Sequence, residues 1–142
     1  MIFSCETYRN LGLLILRLGI GAIMVTAHGW GKIVAGPEMW GQVGSAAGLL
    51  GVPASLFLVF GFLAAFSECF ASIFLALGLF TRVAAFLLLS TMTVAFIMHT
   101  HNHDPFDSVA SHPLELAIVY LSLLLIGPGR FALDALLFKK RG

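Results

Sequence analysis

Four long apolar stretches, separated by short polar or glycine-rich segments, constrain the fold of this 142-residue chain more than any other feature. A helix needs about 20 mostly apolar residues to cross a bilayer. The sequence predicts four such helices, at residues 9–30, 53–80, 83–99 and 113–132. With 59% hydrophobic and 11% charged residues, the chain carries more apolar side chains than a domain of this size can hide from water. We therefore expect an all-α integral membrane protein, a four-transmembrane-helix bundle formed by one domain over residues 1–142.

Charge and cysteine content exclude several other classes of protein. The net charge of +1 argues against a nucleic-acid binder, which needs a dense basic face. Two cysteines, Cys5 and Cys69, provide neither a disulfide framework nor a cysteine-type zinc site. The first apolar stretch lacks the basic start and the small-residue cleavage site of a signal peptide, so we expect it to be retained as a helix. The expected environment is the lipid bilayer.

The basic residues predict the orientation of the bundle. Six of the eight Lys and Arg residues lie near the two ends of the chain or in the short connection between the second and third helices. They are Arg9, Arg82, Arg130, Lys139, Lys140 and Arg141. The two long connections, residues 28–52 and 99–112, contain only one Lys or Arg residue, Lys32. The positive-inside rule therefore predicts that both termini lie in the cytoplasm and both long connections outside. Pro37 predicts a short surface helix in the first of these connections.

Charged residues inside the apolar stretches mark a candidate buried site. A charge in the middle of a membrane costs about 2.5–3.5 kcal/mol on insertion scales, so such residues face the bundle interior and pair. Arg17, His28 and Lys32 share one face of the first helix with Gly21 and Met24. Glu68 lies in the second helix, and Glu115 near the outward end of the fourth. We predict that these side chains line a polar site for a quinone or for protons, and whether Arg17 pairs with Glu68 is left open. The alternative is that they are interhelical contacts that only fix the packing.

A histidine-rich segment suggests a second kind of site. His99, His101, His103 and Asp104 lie close together in the outward connection, with Asp107 and His112 beyond them. Imidazole and carboxylate groups suit Zn²⁺ or Cu²⁺, so these four residues form a candidate metal site. Alternate histidines on a helix do not face one ion, and a solvated loop is the competing interpretation.

Several motifs in order resemble the DoxX family of small bacterial membrane proteins. They cover most of the chain from residue 11 to residue 134. These are LILRLGIG at 14–21, HGWGK at 28–32, Glu68 followed by ALGLFTR at 76–82, His99, DPF at 104–106, ELAIVYL at 115–121 and GPGRFALD at 127–134. The chain differs from the usual pattern in its denser histidines, and in Cys69, where small residues are more common.

The resemblance implies a multi-pass protein of the bacterial inner membrane. Members of the family are linked to quinone-coupled sulfur oxidation and to oxidative-stress complexes, and most have no assigned reaction. The implied function is a membrane subunit of a quinone-linked or redox-stress-related oxidoreductase complex, with a redox-protein partner or a second copy of the chain. The alternative is a non-catalytic scaffold or a protein that binds a small solute or a metal. The residues alone do not decide whether the chain is itself an enzyme.

Overall fold

Each apolar stretch forms a long helix in the structure, a computed structural model that describes residues 5–137. The four helices are long and apolar enough to cross a membrane, and the described residues contain no strand. The helices, in chain order, are α1 (Cys5–Ala35), the short α2 (Pro37–Gly44), α3 (Ala54–Leu77), α4 (Thr81–His101), α5 (Phe106–Ile126) and the short α6 (Leu133–Leu137). A multi-pass membrane protein built only from helices is thus confirmed, and the helix predicted after Pro37 is present as α2.

The bounds of α5 differ from the sequence-based expectation. The fourth helix was expected at residues 113–132, whereas α5 begins at Phe106 and ends at Ile126. Pro105 precedes its first residue, and Gly127 ends it with a φ of 87° that favours glycine. Residues 127–132 therefore form a turn rather than a continuation of the helix. Three basic residues used to predict the orientation, Lys139, Lys140 and Arg141, lie outside the described residues.

Three of the long helices contain a π-helical segment. These segments are Met24–Gly29 in α1, Ser67–Ala71 in α3 and Phe106–Ala110 at the start of α5. A π turn accommodates one residue more than an α turn and is frequent at functional sites. Side chains in these three segments therefore point in directions that a regular α-helical period does not predict.

The long helices pack in chain order. α1 packs against α3, α3 against α4, and α4 against α5 along most of its length, whereas the described parts of α1 and α5 make few contacts with each other. The core between them contains fully buried Leu75, Leu88, Tyr120 and Leu123. Side chains of both helices nevertheless share one buried cluster, to which α1 contributes Leu13 and Met24, and α5 contributes Tyr120 and Leu123.

Two glycines bring the short α2 against α3. A Cβ atom added to Gly44 would overlap the Phe57 carbonyl, and one added to Gly61 would overlap the Trp40 carbonyl. Small residues at such positions let helix backbones approach closely in lipid. The Trp40 ring meets Phe62 edge to face, with ring centroids 5.0 Å apart. α2 is thus held firmly beside the membrane helix that carries Glu68.

The last part of the described chain closes the end of the bundle at which α1 and α4 begin. The Phe80 and Thr81 amides donate to the two carboxylate oxygens of Asp134, at 2.7 and 2.9 Å. The Asp134 amide donates to the Gly78 carbonyl at 2.8 Å. Asp134 therefore caps the N-terminus of α4 from a distant point in the sequence, since its carboxylate accepts from two amides at the start of the helix.

Removing this cap is expected to destabilise the bundle. Asp134→Ala leaves the Phe80 and Thr81 amides without these acceptors, and loss of an N-terminal cap costs about 0.5–2 kcal/mol. The measurement is the thermal unfolding temperature of the detergent-solubilised protein. Asp107→Ala, which removes an exposed carboxylate from α5, is the matched control and is expected to leave that temperature unchanged. Equal shifts in both variants would show that the cap contributes nothing specific.

Candidate functional site

A cavity of about 290 Å³ lies between all four long helices, at the end of the bundle where α1 ends and α5 begins. Apolar side chains such as Met24, Met92 and Leu116 form much of its wall. Its polar lining is His28, Lys32, Glu68, His99, Ser108 and His112. Ligand sites combine an apolar wall with a few convergent polar groups in this way. Their usual volume is roughly 300–1,000 Å³, so this cavity is a small one.

An ion pair between α1 and α3 dominates the cavity. The Lys32 ammonium lies 2.5 Å from the Glu68 Oε2 atom. The Glu68 side chain is only 3% exposed and that of Lys32 is 28% exposed, so the carboxylate is buried and the ammonium reaches toward the opening. The buried Glu68 carboxylate depends on the Lys32 ammonium, because moving a charge out of water costs free energy unless an opposite charge compensates it.

The backbone around this pair is fixed by two further contacts. Gly29 lies against the backbone of α3: a Cβ atom there would be 2.5 Å from the Glu68 carbonyl oxygen and from the Cys69 nitrogen. On the other side, the Trp40 indole N–H donates to the Lys32 carbonyl at 2.8 Å. α3 and α2 thus hold the two partners of the ion pair in place.

All three π-helical segments contribute to the cavity. Met24 and His28 come from the first, Glu68 from the second, and Ser108 and Val109 from the third. The wider π turns change the direction in which side chains leave the helix. The deviations from regular α geometry are therefore concentrated where the polar side chains meet.

Three histidines surround the ion pair. The rings of His28 and His112 face each other from α1 and α5, with centroids 5.7 Å apart and planes inclined by 30°. His99 also lines the cavity, and its Nδ1 atom lies 2.6 Å from Asp104 Oδ2. The site thus combines one ammonium, one carboxylate and three imidazoles, groups that donate and accept hydrogen bonds and exchange protons.

The structure does not bring the predicted metal ligands together. Within residues 5–137 no three His, Cys, Asp or Glu side chains converge in a way that would hold a metal ion. His101 is exposed at the end of α4, about 200° around the helix from His99. His103 is exposed in the turn after α4, with a φ of 58°. Of the four candidates, only His99 and Asp104 meet.

Arg17 lies outside the cavity, although the sequence grouped it with Glu68. It is fully buried near the other end of the bundle, where its Nη2 donates to the Phe131 carbonyl at 2.8 Å and its Nε to the Leu13 carbonyl at 3.3 Å. Asp134 interacts with it electrostatically. Arg17 does not pair with Glu68, whose ion-pair partner is Lys32. Its contacts tie the segment after Gly127 to α1.

Glu115 also lies away from the cavity, whereas His112, which the sequence placed only beside the candidate metal site, lines it. Glu115 is exposed on α5 and does not line the cavity. His112 lines it because α5 begins at Phe106, which places Val109, His112 and Leu116 on one face at spacings of three and four. A fourth helix predicted to begin at Phe106 would have placed these three residues on one face.

Comparisons with known proteins give one family and two relatives. The DoxX family model matches residues 12–101. An uncharacterized protein of Haemophilus influenzae is 35% identical over 142 residues, covering 96% of this chain and 98% of its own. The inner membrane protein YqjF of Escherichia coli is 27% identical over 135 residues, covering 92% of this chain and 95% of its own. No solved structure matches the chain.

Proposed function

The chain belongs to the DoxX family, and from this premise we propose that it is the membrane subunit of a quinone-linked or redox-stress-related oxidoreductase complex, with the quinone ring bound in the cavity. The observation that carries the proposal is the Lys32–Glu68 pair, placed among three histidines in a largely apolar cavity. The name of the Escherichia coli relative supports a location in the inner membrane.

The chemistry of the lining fits a quinone ring. A quinone takes up two electrons and two protons when it is reduced, and its ring oxygens accept hydrogen bonds in one form and donate them in the other. Lys32 is a donor to such an oxygen, Glu68 is an acceptor, and His28, His99 and His112 serve as either. Imidazole and carboxylate groups are common proton donors and acceptors in proteins, so these side chains pass protons to and from the bound ring. A redox protein that docks on the bundle supplies the electrons.

The basic residues support an orientation of the site in the membrane. With both termini in the cytoplasm, as the positive-inside rule predicts, the cavity lies toward the outer side of the inner membrane. Protons of the bound molecule then exchange with that side. Cysteine accessibility at position 103, in the turn next to the cavity, tests this arrangement in intact cells.

Quinone binding by the purified protein tests the proposal. Mass spectrometry of the protein, prepared in lipid nanodiscs from membranes, is expected to find co-purifying quinone. Glu68→Gln is expected to weaken binding of added quinone about tenfold or more, because a charged partner of a buried hydrogen bond is lost. Glu115→Gln is the matched control, since it neutralises an exposed carboxylate that does not line the cavity.

Two results would contradict the proposal. One is protein that contains no quinone and binds none when it is added. The other is equal binding by the Glu68→Gln variant and by the unaltered protein. In either case, the function left is the alternative of a non-catalytic scaffold or a carrier of another small solute.

A further inference from the structure

A second cavity lies at the end of the bundle at which α4 begins, away from the candidate site. It is an open groove of about 400 Å³ between the start of α4 and the turn after α5. We call it the α4 groove, and its lining is Phe80, Thr81, Arg82, Val83, Pro128 and Asp134. Because the membrane-spanning helix α4 begins at Thr81, the groove lies where the apolar part of the bundle ends. A molecule bound there is at the level of the lipid headgroups.

The wall of the α4 groove is largely apolar. Phe80 is 53% exposed and Val83 is 59% exposed, and Pro128 lies beside them in the lining. Thr81 is fully buried. The Asp134 carboxylate accepts from the Phe80 and Thr81 amides. At the edge of a bilayer, exposed apolar side chains of this kind are covered by acyl chains rather than by water.

Arg82 supplies the polar group of the groove. Its guanidinium folds over the turn after α5: the Nη2 and Nε atoms lie 3.7 and 3.8 Å from the position that a Cβ atom on Gly127 would take. Within residues 5–137 this guanidinium has neither an ion-pair nor a hydrogen-bond partner. The helix N-terminus itself is not the binding group, since Asp134 already accepts from its first amides. The charge of Arg82 is therefore available to an anion.

Positive charge is in excess around the α4 groove. Arg130 is exposed in the turn that follows Pro128. The acidic groups at this end of the bundle are engaged elsewhere, because Glu6 pairs with Arg9 at 3.9 Å and Asp134 accepts from amides. The sequence adds three basic residues, at 139–141, directly after α6. Basic clusters beside a membrane attract anionic lipids, so charge complementarity favours a lipid of this kind as the occupant.

We propose that the α4 groove binds one anionic phospholipid, whose phosphate accepts hydrogen bonds from Arg82 and whose acyl chains cover Phe80 and Val83. A guanidinium presents its donors as a planar fork that matches the oxygens of a phosphate. A zwitterionic phospholipid has the same phosphate but also a cation, which the basic surroundings repel. The proposal concerns a lipid at the opposite end of the bundle from the quinone cavity, and it does not depend on the proposed function.

Native mass spectrometry of the detergent-solubilised protein tests the lipid class. The protein is titrated with phosphatidylglycerol or with phosphatidylcholine of the same acyl chains, and we expect phosphatidylglycerol to bind about tenfold more tightly. Arg82→Gln is expected to weaken phosphatidylglycerol binding about tenfold or more, because charge-assisted hydrogen bonds are lost. Since Arg82 is exposed, we expect this variant to fold. Arg9→Gln is the matched control: it removes the same charge at the same end of the bundle, and it is expected to leave binding unchanged.

Three results would overturn this proposal. The first is equal affinity of the unaltered protein for the two lipids. The second is an equal loss in Arg82→Gln and Arg9→Gln, which would show only a general attraction of a basic surface. The third is displacement of the lipid by an equimolar amount of inorganic phosphate, which would show a site for a free anion. Quinone binding is measured separately with Glu68→Gln, so either proposal can fail without the other.

Discussion

Replacing Lys32 with methionine is expected to destabilise the bundle by about 3–5 kcal/mol, the usual cost of removing one partner from a buried ion pair. Glu68 is 3% exposed and its carboxylate meets the Lys32 ammonium at 2.5 Å. Methionine has a similar length but carries no charge, so the variant leaves an uncompensated carboxylate in the membrane-spanning part of α3.

The double variant separates the charge from the volume of the side chains. Lys32→Met together with Glu68→Leu removes both charges, and it is expected to be more stable than Lys32→Met alone, because no unpaired charge is left behind. The measurement is the free energy of unfolding in detergent micelles. A double variant whose loss equals the sum of the two single losses would show that the pair is not coupled.

The second large effect is expected from Gly29→Ala. The added methyl group would stand 2.5 Å from the Glu68 carbonyl oxygen and from the Cys69 nitrogen, which are backbone atoms that cannot rotate away. α1 and α3 must therefore separate at the level of the ion pair, at a cost typical of overpacking, about 1–3 kcal/mol. Because Glu68 moves with its backbone, quinone binding is expected to weaken in the same variant.

Gly31→Ala is the control for this substitution. Gly31 lies two residues further along α1, and a Cβ atom there meets nothing within 4 Å. Since alanine favours a helix over glycine by up to about 1 kcal/mol, this variant is expected to be as stable as the unaltered protein or more so. The unfolding temperatures of the two variants are expected to move apart. A common shift in both would mean that the close approach at Gly29 is not what limits the packing.

Much of the fold was accessible from the sequence, because hydropathy reports directly on the length of a membrane helix. The four long helices and α2 after Pro37 follow from apolar length and from proline. The face shared by His28 and Lys32 was also accessible, because a helical period of three and four residues places them together, and both line the cavity. The side of the membrane on which the termini lie stays a prediction.

The partners of the charged residues were less accessible. Which residue pairs with Glu68 depends on the relative height of α1 and α3, and the π turns in both helices shift that height from the value of a regular helix. Arg17 bonds to the Phe131 carbonyl, a backbone group in a turn, and no side-chain pattern in the sequence signals such an acceptor. The position of His112 depended on where α5 begins, and helix ends are the least regular part of a hydropathy profile.

The indole of Trp40 makes the site observable by its own fluorescence. The chain contains two tryptophans: Trp30 is 61% exposed, whereas Trp40 is bonded to the Lys32 carbonyl and packed on Phe62. In a Trp30→Phe background, all tryptophan emission comes from a ring attached to the backbone of a cavity-lining residue. The protein thus carries an intrinsic optical probe, and quenching of its emission during titration measures occupancy of the cavity without a label.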